Sequence, residues 1–201
     1  GHRVTFLERD VPWYAEHRDL PKPPYCRTLL YRDLADLETR FTETLRKADA
    51  VIVGSYVPEG VAVGHWAIRN AGGPVSFYDI DTPVTLAKLE RGDEEYITYD
   101  LIGAYDLYLS FTGGPTIDRL HRLGSPRAAP LYCSVDPDVH APVKAPRRWR
   151  LGYLGTYSDD RQPALEQLLC TPARGLPGGA FVVAGPQNPA ATEWPNTAAH
   201  P

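Results

Sequence analysis

Short apolar runs alternate with amphipathic segments of helical length along most of this chain. The runs that predict strands are residues 4–7, 50–53, 75–78, 106–110, 128–132, 151–154 and 181–184. Strands that alternate with helices predict parallel sheets with right-handed crossovers. Because residues 50–53 are continuously apolar, we expect that strand to be covered on both faces. The sequence therefore predicts an α/β fold.

The predicted helices lie between these strands. Apolar residues recur from Leu30 to Ala48 at spacings of 4, 3, 4, 4 and 3, which predicts one amphipathic helix of about five turns. Residues 61–68 predict a second helix, and helices begin at Thr82-Pro83 and Gly114-Pro115. A further helix is marked by Leu165, Leu168 and Leu169, whereas residues 10–24 are polar and proline-rich and predict a loop.

Residues 134–148 interrupt the alternation, because they contain three prolines and end on two arginines. They predict a linker between a first domain, residues 1–133, and the beginning of a second, residues 149–201. The chain lacks methionine, opens on a glycine typical of a helix C-cap, and closes after residue 196 with no predicted element. These features predict an internal piece of a longer protein, and a processed or trimmed chain is the alternative.

Composition narrows the classes of partner. The net charge is −4, whereas a nucleic-acid-binding protein normally has a basic excess, so we expect no nucleic acid. No apolar run approaches the roughly 18 residues of a membrane-spanning helix. The three cysteines form no CxxC or Cys/His zinc spacing, and no N-glycosylation sequon occurs. Both observations favour a cytoplasmic location.

Small, hydroxylic or acidic residues follow the predicted strands. They occupy residues 54–55, 79–82, 110–114, 133–136, 155–158 and 185–187. In open parallel sheets, ligands bind beyond the carboxyl ends of the strands. These residue types suit a polyhydroxylated or phosphorylated small molecule, although each loop alone is also explained as a cap or turn.

Two of these loops suggest specific chemistry. Asp79 and Asp81 form a DxD sequence, in which one carboxylate can serve as a general base, hold a metal bound to a diphosphate, or cap the helix that starts at Thr82. In the loop 155–158, backbone amides with the hydroxyls of Thr156 and Ser158 can hold a phosphate. Arg161 follows in the first helical turn, where the helix dipole disfavours a positive charge unless an anion lies nearby. That anion is a bound phosphate or the adjacent Asp159 and Asp160.

Several long motifs together resemble one protein family. They are residues 77–92 (FYDIDTPVTLAKLERG), 106–120 (DLYLSFTGGPTIDRL), 130–140 (PLYCSVDPDVH), 151–169 (LGYLGTYSDDRQPALEQLL) and 181–187 (FVVAGPQ). This pattern resembles bacterial glycosyltransferase-like proteins of the spore-maturation CgeB type, grouped with family 1 glycosyltransferases. The resemblance covers nearly the whole chain.

The resemblance implies a GT-B architecture of two Rossmann-like domains, the first for the acceptor and the second for a nucleotide-sugar donor. It implies that the donor phosphates lie near Gly155, Thr156, Tyr157, Ser158 and Arg161. It implies that the acceptor side is lined by Asp79, Asp81, Ser110, Thr112 and Gly113. Ser55, Thr82 and Asp136 are predicted for the same side because they follow the predicted strands, and Asp81 and Asp79 are the predicted catalytic carboxylates.

The resemblance further implies that no metal is required, because enzymes of the GT-B architecture generally need none. It implies no other cofactor either, since the nucleotide-sugar is a co-substrate. The acceptor is then a small molecule, a glycan or a protein that offers a hydroxyl group. Much of the family's donor-binding half would lie beyond residue 201, so we expect this piece alone to be inactive. The alternatives are a nucleotide-sugar epimerase-like enzyme and a non-catalytic sugar- or nucleotide-binding protein.

Overall fold

The computed structural model describes residues 1–15, 20, 22–159, 161–176, 178, 180–185 and 197–200. Backbone contacts divide the chain into two compact units, Gly1–Val135 and Asp136–Pro201. Every strand pairing in the described residues is parallel. The predicted α/β class with parallel sheets is confirmed.

The first unit contains two parallel sheets. Its strands are β1 (Thr5–Arg9), β2 (Arg27–Tyr31), β3 (Val51–Gly54), β4 (Val75–Asp79), β5 (Leu107–Ser110) and β6 (Ala128–Pro130). Its helices are α1 (Pro12–Ala15), α2 (Leu34–Arg46), α3 (Gly60–Asn70), α4 (Thr82–Glu90), α5 (Tyr99–Ala104) and α6 (Pro115–Arg122). β1 pairs with β2, and the other four strands form a sheet in the order β3-β4-β5-β6.

The core of the first unit is centred on β4. Val75 and Phe77 are buried on one face of this strand, since side chains alternate between the faces with a period of two. The Phe77 ring centroid lies 5.3 Å from that of Tyr105 and 5.2 Å from that of Tyr108. Asp79 lies two residues after Phe77, so its side chain is on the same face of β4 and is buried in the same core.

Two predicted elements of the first unit are wrong in part. Leu30 belongs to β2 and not to the predicted five-turn helix, which begins only at Leu34. The start is fixed by Asp33, whose side chain accepts a hydrogen bond of 2.8 Å from the Asp36 amide. β3 is not covered on both faces, because its Ile52 is 63% exposed.

Two short helices lie where none is predicted. α1 falls inside the predicted loop 10–24. α5 begins at a Thr98 cap, whose hydroxyl accepts from the Leu101 amide, and it buries Leu101 and Ile102. With only six residues, α5 is too short to show a helical apolar period in the sequence.

The second unit contains one parallel sheet with the order β7-β8-β9. Its elements are β7 (Leu151–Leu154), α7 (Gln162–Leu165), a π-helical segment (Glu166–Cys170), α8 (Thr171–Gly175), β8 (Phe181–Ala184) and β9 (Thr197–His200). Leu165 and Leu169 are buried with Val183, whereas Leu168 is 70% exposed. The expectation of no element after residue 196 is wrong, because β9 extends the sheet there.

Residues 136–149, within which most of the predicted linker lies, form no helix or strand and are exposed. No helix in the described residues combines the length and apolar character needed to cross a membrane.

Candidate functional site

The loops that follow β3, β4 and β5 leave one edge of the four-stranded sheet. Gly54 is in register with Tyr78, and Asp79 with Ser110, so the carboxyl ends of the three strands lie side by side. Hydrogen bonds join the loops there: the Ser55 amide donates to the Tyr78 carbonyl at 2.8 Å. The Ser55 hydroxyl also accepts from the Ile80 amide at 3.2 Å. This edge is the position at which open parallel sheets bind ligands.

Asp79 lies beneath this edge and is completely buried. Its carboxylate accepts from the Tyr108 hydroxyl at 2.6 Å, the Thr85 hydroxyl at 2.9 Å and the Asp81 amide at 3.0 Å. Burial raises the pKa of Asp79, and the hydrogen bonds from Tyr108, Asp81 and Thr85 oppose that rise. In this structure the Asp79 carboxylate has no exposed surface, and its hydrogen bond to the Asp81 amide positions the backbone of Asp81.

Asp81 occupies the cap position of α4, but its side chain makes no capping hydrogen bond. Its backbone carbonyl accepts from the amides of Val84 and Thr85, which starts the helix. The carboxylate is directed elsewhere: its Oδ2 accepts from the Tyr56 hydroxyl at 3.0 Å. Asp81 is partly exposed, in contrast to Asp79. Of the roles predicted for Asp81, side-chain capping of α4 is not observed. The role of general base stays a prediction.

Tyr56 is a component of the site that the sequence reasoning missed. Its backbone is left-handed, with φ 63°, which is unusual for a bulky residue. The residue is 44% exposed, and its ring lies 5.1 Å from the Tyr96 ring, centroid to centroid. Burial raises the pKa of Tyr56, and the hydrogen bond to Asp81 raises it further, so the phenol keeps its proton and acts as donor. The only available signal was its position next to Ser55, directly after a strand.

Thr82 and Ser110 lie inside the protein. Both are completely buried, and their hydroxyl oxygens are 2.8 Å apart. The Ser110 hydroxyl donates to the Thr112 carbonyl at 2.7 Å and accepts from the Thr112 amide at 3.0 Å. Thr82 and Ser110 therefore shape the loop, whereas Thr112 and Gly113 are partly exposed.

The predicted phosphate loop follows β7 in the second unit. The Gly155 amide donates to the Ala184 carbonyl at 2.9 Å, and the Ser158 carbonyl accepts from the amides of Arg161 and Gln162. Gly185 has φ +123° and lies so close to the Gly155 backbone that a Cβ there would clash.

The side chains of this loop are partly engaged with one another. The Tyr157 hydroxyl donates to Asp159 at 2.8 Å, and this hydrogen bond raises the pKa of Tyr157. Thr156 and Arg161 are exposed. Asp160, Pro186 and Gln187, which belong to the predicted site loops, lie outside the described residues.

Asp136, predicted for the acceptor side, falls in the second unit. Its carboxylate accepts from the Asp138 amide at 2.9 Å, and its carbonyl accepts from the His140 amide at 2.8 Å. Both hydrogen bonds lie within an exposed turn, residues 136–140, so Asp136 stabilises this turn. Of the predicted acceptor residues, the first unit therefore brings together Ser55, Thr82, Ser110, Thr112 and Gly113, beside Asp79 and Asp81.

The described residues contain no group of three His, Cys, Asp or Glu side chains placed to hold a metal ion. No protein-family model matches the chain, and no curated protein matches it significantly. The resemblance to glycosyltransferases of the CgeB type therefore stays a prediction from the motifs.

Asp81 and Tyr56 together form a small polar and apolar surface that can bind a hydroxyl group. A partly exposed carboxylate can accept a proton from a hydroxyl group within hydrogen-bond reach. The neighbouring phenol fixes one carboxylate oxygen, which leaves Oδ1 for a ligand. The half-exposed Tyr56 ring adds an apolar surface beside it. Together these groups suit a ligand that has both hydroxyl groups and apolar C–H faces, as sugars do.

Proposed function

We propose that this chain is part of a glycosyltransferase that transfers a sugar from a nucleotide-sugar donor to a hydroxyl acceptor. In this proposal residues 1–133 are the acceptor-side domain of a GT-B architecture, and residues 149–201 begin the donor-side domain. The observation that carries the proposal is the Asp81 carboxylate, which is free of helix capping and held by Tyr56 at the carboxyl edge of a parallel sheet.

Asp81 orients the acceptor hydroxyl and accepts its proton. The acceptor oxygen forms a bond to the anomeric carbon of the donor sugar, while the bond between that carbon and the diphosphate oxygen breaks. The nucleoside diphosphate leaves with the electron pair. Asp79 does not take part in this exchange, because it is buried; it positions Asp81 through the 3.0 Å hydrogen bond to the Asp81 amide.

The donor phosphates are assigned to the loop after β7. Gly155 begins this loop, and Thr156 and Ser158 carry hydroxyl groups there, whereas the Tyr157 hydroxyl donates to Asp159. Arg161 adds a positive charge at the start of the helix, which stabilises the developing negative charge of the leaving diphosphate. These groups require no metal, and the acceptor class stays open among small molecules, glycans and proteins.

The test measures nucleoside diphosphate release by the protein encoded by the complete reading frame that contains this chain. The substrates are a panel of nucleotide-sugars, each with and without a mixture of small-molecule, glycan and peptide acceptors that carry hydroxyl groups. A glycosyltransferase releases nucleoside diphosphate faster when an acceptor is present than when water is the only acceptor. Conversion of the donor sugar without any acceptor would indicate an epimerase-like enzyme instead.

A second measurement separates catalysis from binding. Thermal unfolding is followed with and without each nucleotide-sugar, because a bound ligand raises the unfolding temperature. A shift without any turnover would indicate a binding protein, and neither shift nor turnover with any donor would refute the proposal.

A further inference from the structure

A basic segment interrupts the otherwise acidic chain. It comprises residues 143–151 and contains Lys144, Arg147, Arg148 and Arg150. No Asp or Glu occurs anywhere from residue 139 to 158, although the net charge of the whole chain is −4. The segment therefore has a local charge of opposite sign to that of the protein.

The cations of this segment are exposed and available. All residues from 141 to 152 are exposed, and residues 141–149 belong to no helix or strand. Among the residues that the structure describes, the salt bridges involve none of these four side chains. Pro142 and Pro146 favour an extended backbone, which keeps successive side chains apart. The segment thus presents four positive charges over seven residues.

Exposed apolar side chains are interleaved with these charges. Val143 is 84% exposed, and Trp149 and Leu151 are each 41% exposed. Tryptophan favours the interface between a membrane and water, and clustered Lys and Arg side chains attract anionic lipid headgroups. The phosphates of a nucleic-acid backbone would pair with the cations but would make no apolar contact with Val143 or Leu151.

We propose that residues 143–151 bind the surface of an anionic lipid membrane, with the cations on the headgroups and the apolar side chains at the interface. The segment lies on the membrane and does not span it. This proposal does not depend on the proposed sugar transfer, because it rests on residues outside both candidate loops.

The test is sedimentation of the protein with vesicles of equimolar phosphatidylglycerol and phosphatidylcholine, and with vesicles of phosphatidylcholine alone. Each cation near an anionic surface strengthens binding about fivefold, so the double variant Arg147→Gln/Arg148→Gln is expected to weaken binding about 25-fold. The matched control is Arg122→Gln/Arg127→Gln, which removes two exposed charges elsewhere and is expected to leave binding within about twofold. Circular dichroism checks that both variants fold.

A second readout locates the contact. The difference in fluorescence between the wild-type protein and Trp149→Phe is expected to shift to shorter wavelength when mixed vesicles are added. Equal binding to both vesicle types, or equal loss in both double variants, would overturn the proposal. Binding of a fluorescent single-stranded oligonucleotide that depends on Arg147 and Arg148, without vesicle binding, would overturn it in favour of nucleic acid.

Discussion

Replacement of Tyr108 by Phe tests the buried network that positions the candidate site. The change removes one hydroxyl group that donates to Asp79 at 2.6 Å, and it leaves the ring that packs on Phe77. Both residues are completely buried, so water does not replace the lost donor. A hydrogen bond to a charged group contributes about 1.5–3 kcal/mol, and we expect Tyr108→Phe to lower the free energy of unfolding by that amount at neutral pH.

Replacement of Asp79 by Ala has a larger expected effect. It leaves the Tyr108 hydroxyl and the Asp81 amide without the acceptor they use, at about 1–3 kcal/mol for each buried unpaired group, or about 2–6 kcal/mol together. Thr85 is less affected, because its hydroxyl also lies 3.0 Å from the Tyr96 hydroxyl.

Urea unfolding followed by circular dichroism measures both changes, with unchanged denaturant slope as the check of two-state behaviour. The matched control is Tyr78→Phe on the same strand, whose hydroxyl makes no hydrogen bond in the described part of the chain and whose loss is expected to change stability by less than about 0.5 kcal/mol. If Tyr108→Phe is as stable as Tyr78→Phe, the buried network does not stabilise the site.

The same network predicts a pH dependence. Burial raises the pKa of Asp79 above its ordinary value of 3.8, so the folded protein retains a proton that the unfolded chain has lost. Stability contributed by this group is therefore lost as the pH rises from 3.8 to the folded pKa, and is constant above it. Asp79→Asn is expected to abolish this part of the pH dependence, and an identical pH profile in both proteins would contradict the reasoning.

Two further predictions concern a helix and the cysteines. Gly64→Ala is expected to destabilise by about 1–3 kcal/mol, because its Cβ would clash with the Tyr105 hydroxyl. Gly103→Ala, with 3.4 Å to its nearest neighbour, is expected to stabilise by up to about 1 kcal/mol; equal urea midpoints would contradict both expectations. Buried Cys170, whose pKa burial raises to about 11, is expected to react with a thiol reagent only after unfolding, whereas exposed Cys133 reacts in the native protein. Rapid native labelling of Cys170 in a Cys133→Ser variant would refute this.

The sequence predicted the location of the candidate loops better than the state of their side chains. Parallel strands place their carboxyl ends together, so Ser55, Asp81 and Thr112 follow from the order of elements alone. The burial of Asp79 could have been predicted from the sequence, because alternate residues of a strand share a face and Asp79 alternates with the apolar Val75 and Phe77. A role for these residues in catalysis stays a prediction.

Other features could not be predicted from local pattern. The spacing of Leu30 and Leu34 fits a helix equally well, and only pairing with β1 shows that Leu30 belongs to a strand. The left-handed backbone of Tyr56 has no sequence signal, since Gly and Asn are the residues typical of that conformation. It arises where the Tyr56 ring packs on Tyr96 and its hydroxyl reaches Asp81, which are tertiary contacts.

The most direct measurement is the acceptor-dependent release of nucleoside diphosphate by Asp81→Asn in the complete protein. Asparagine keeps the size of the side chain and can still accept the Tyr56 hydrogen bond, but it cannot take a proton. Loss of a general base costs about 100-fold to 10,000-fold in kcat, and we expect that loss with little change in KM. A variant that transfers sugar at the wild-type rate would contradict the assignment of Asp81.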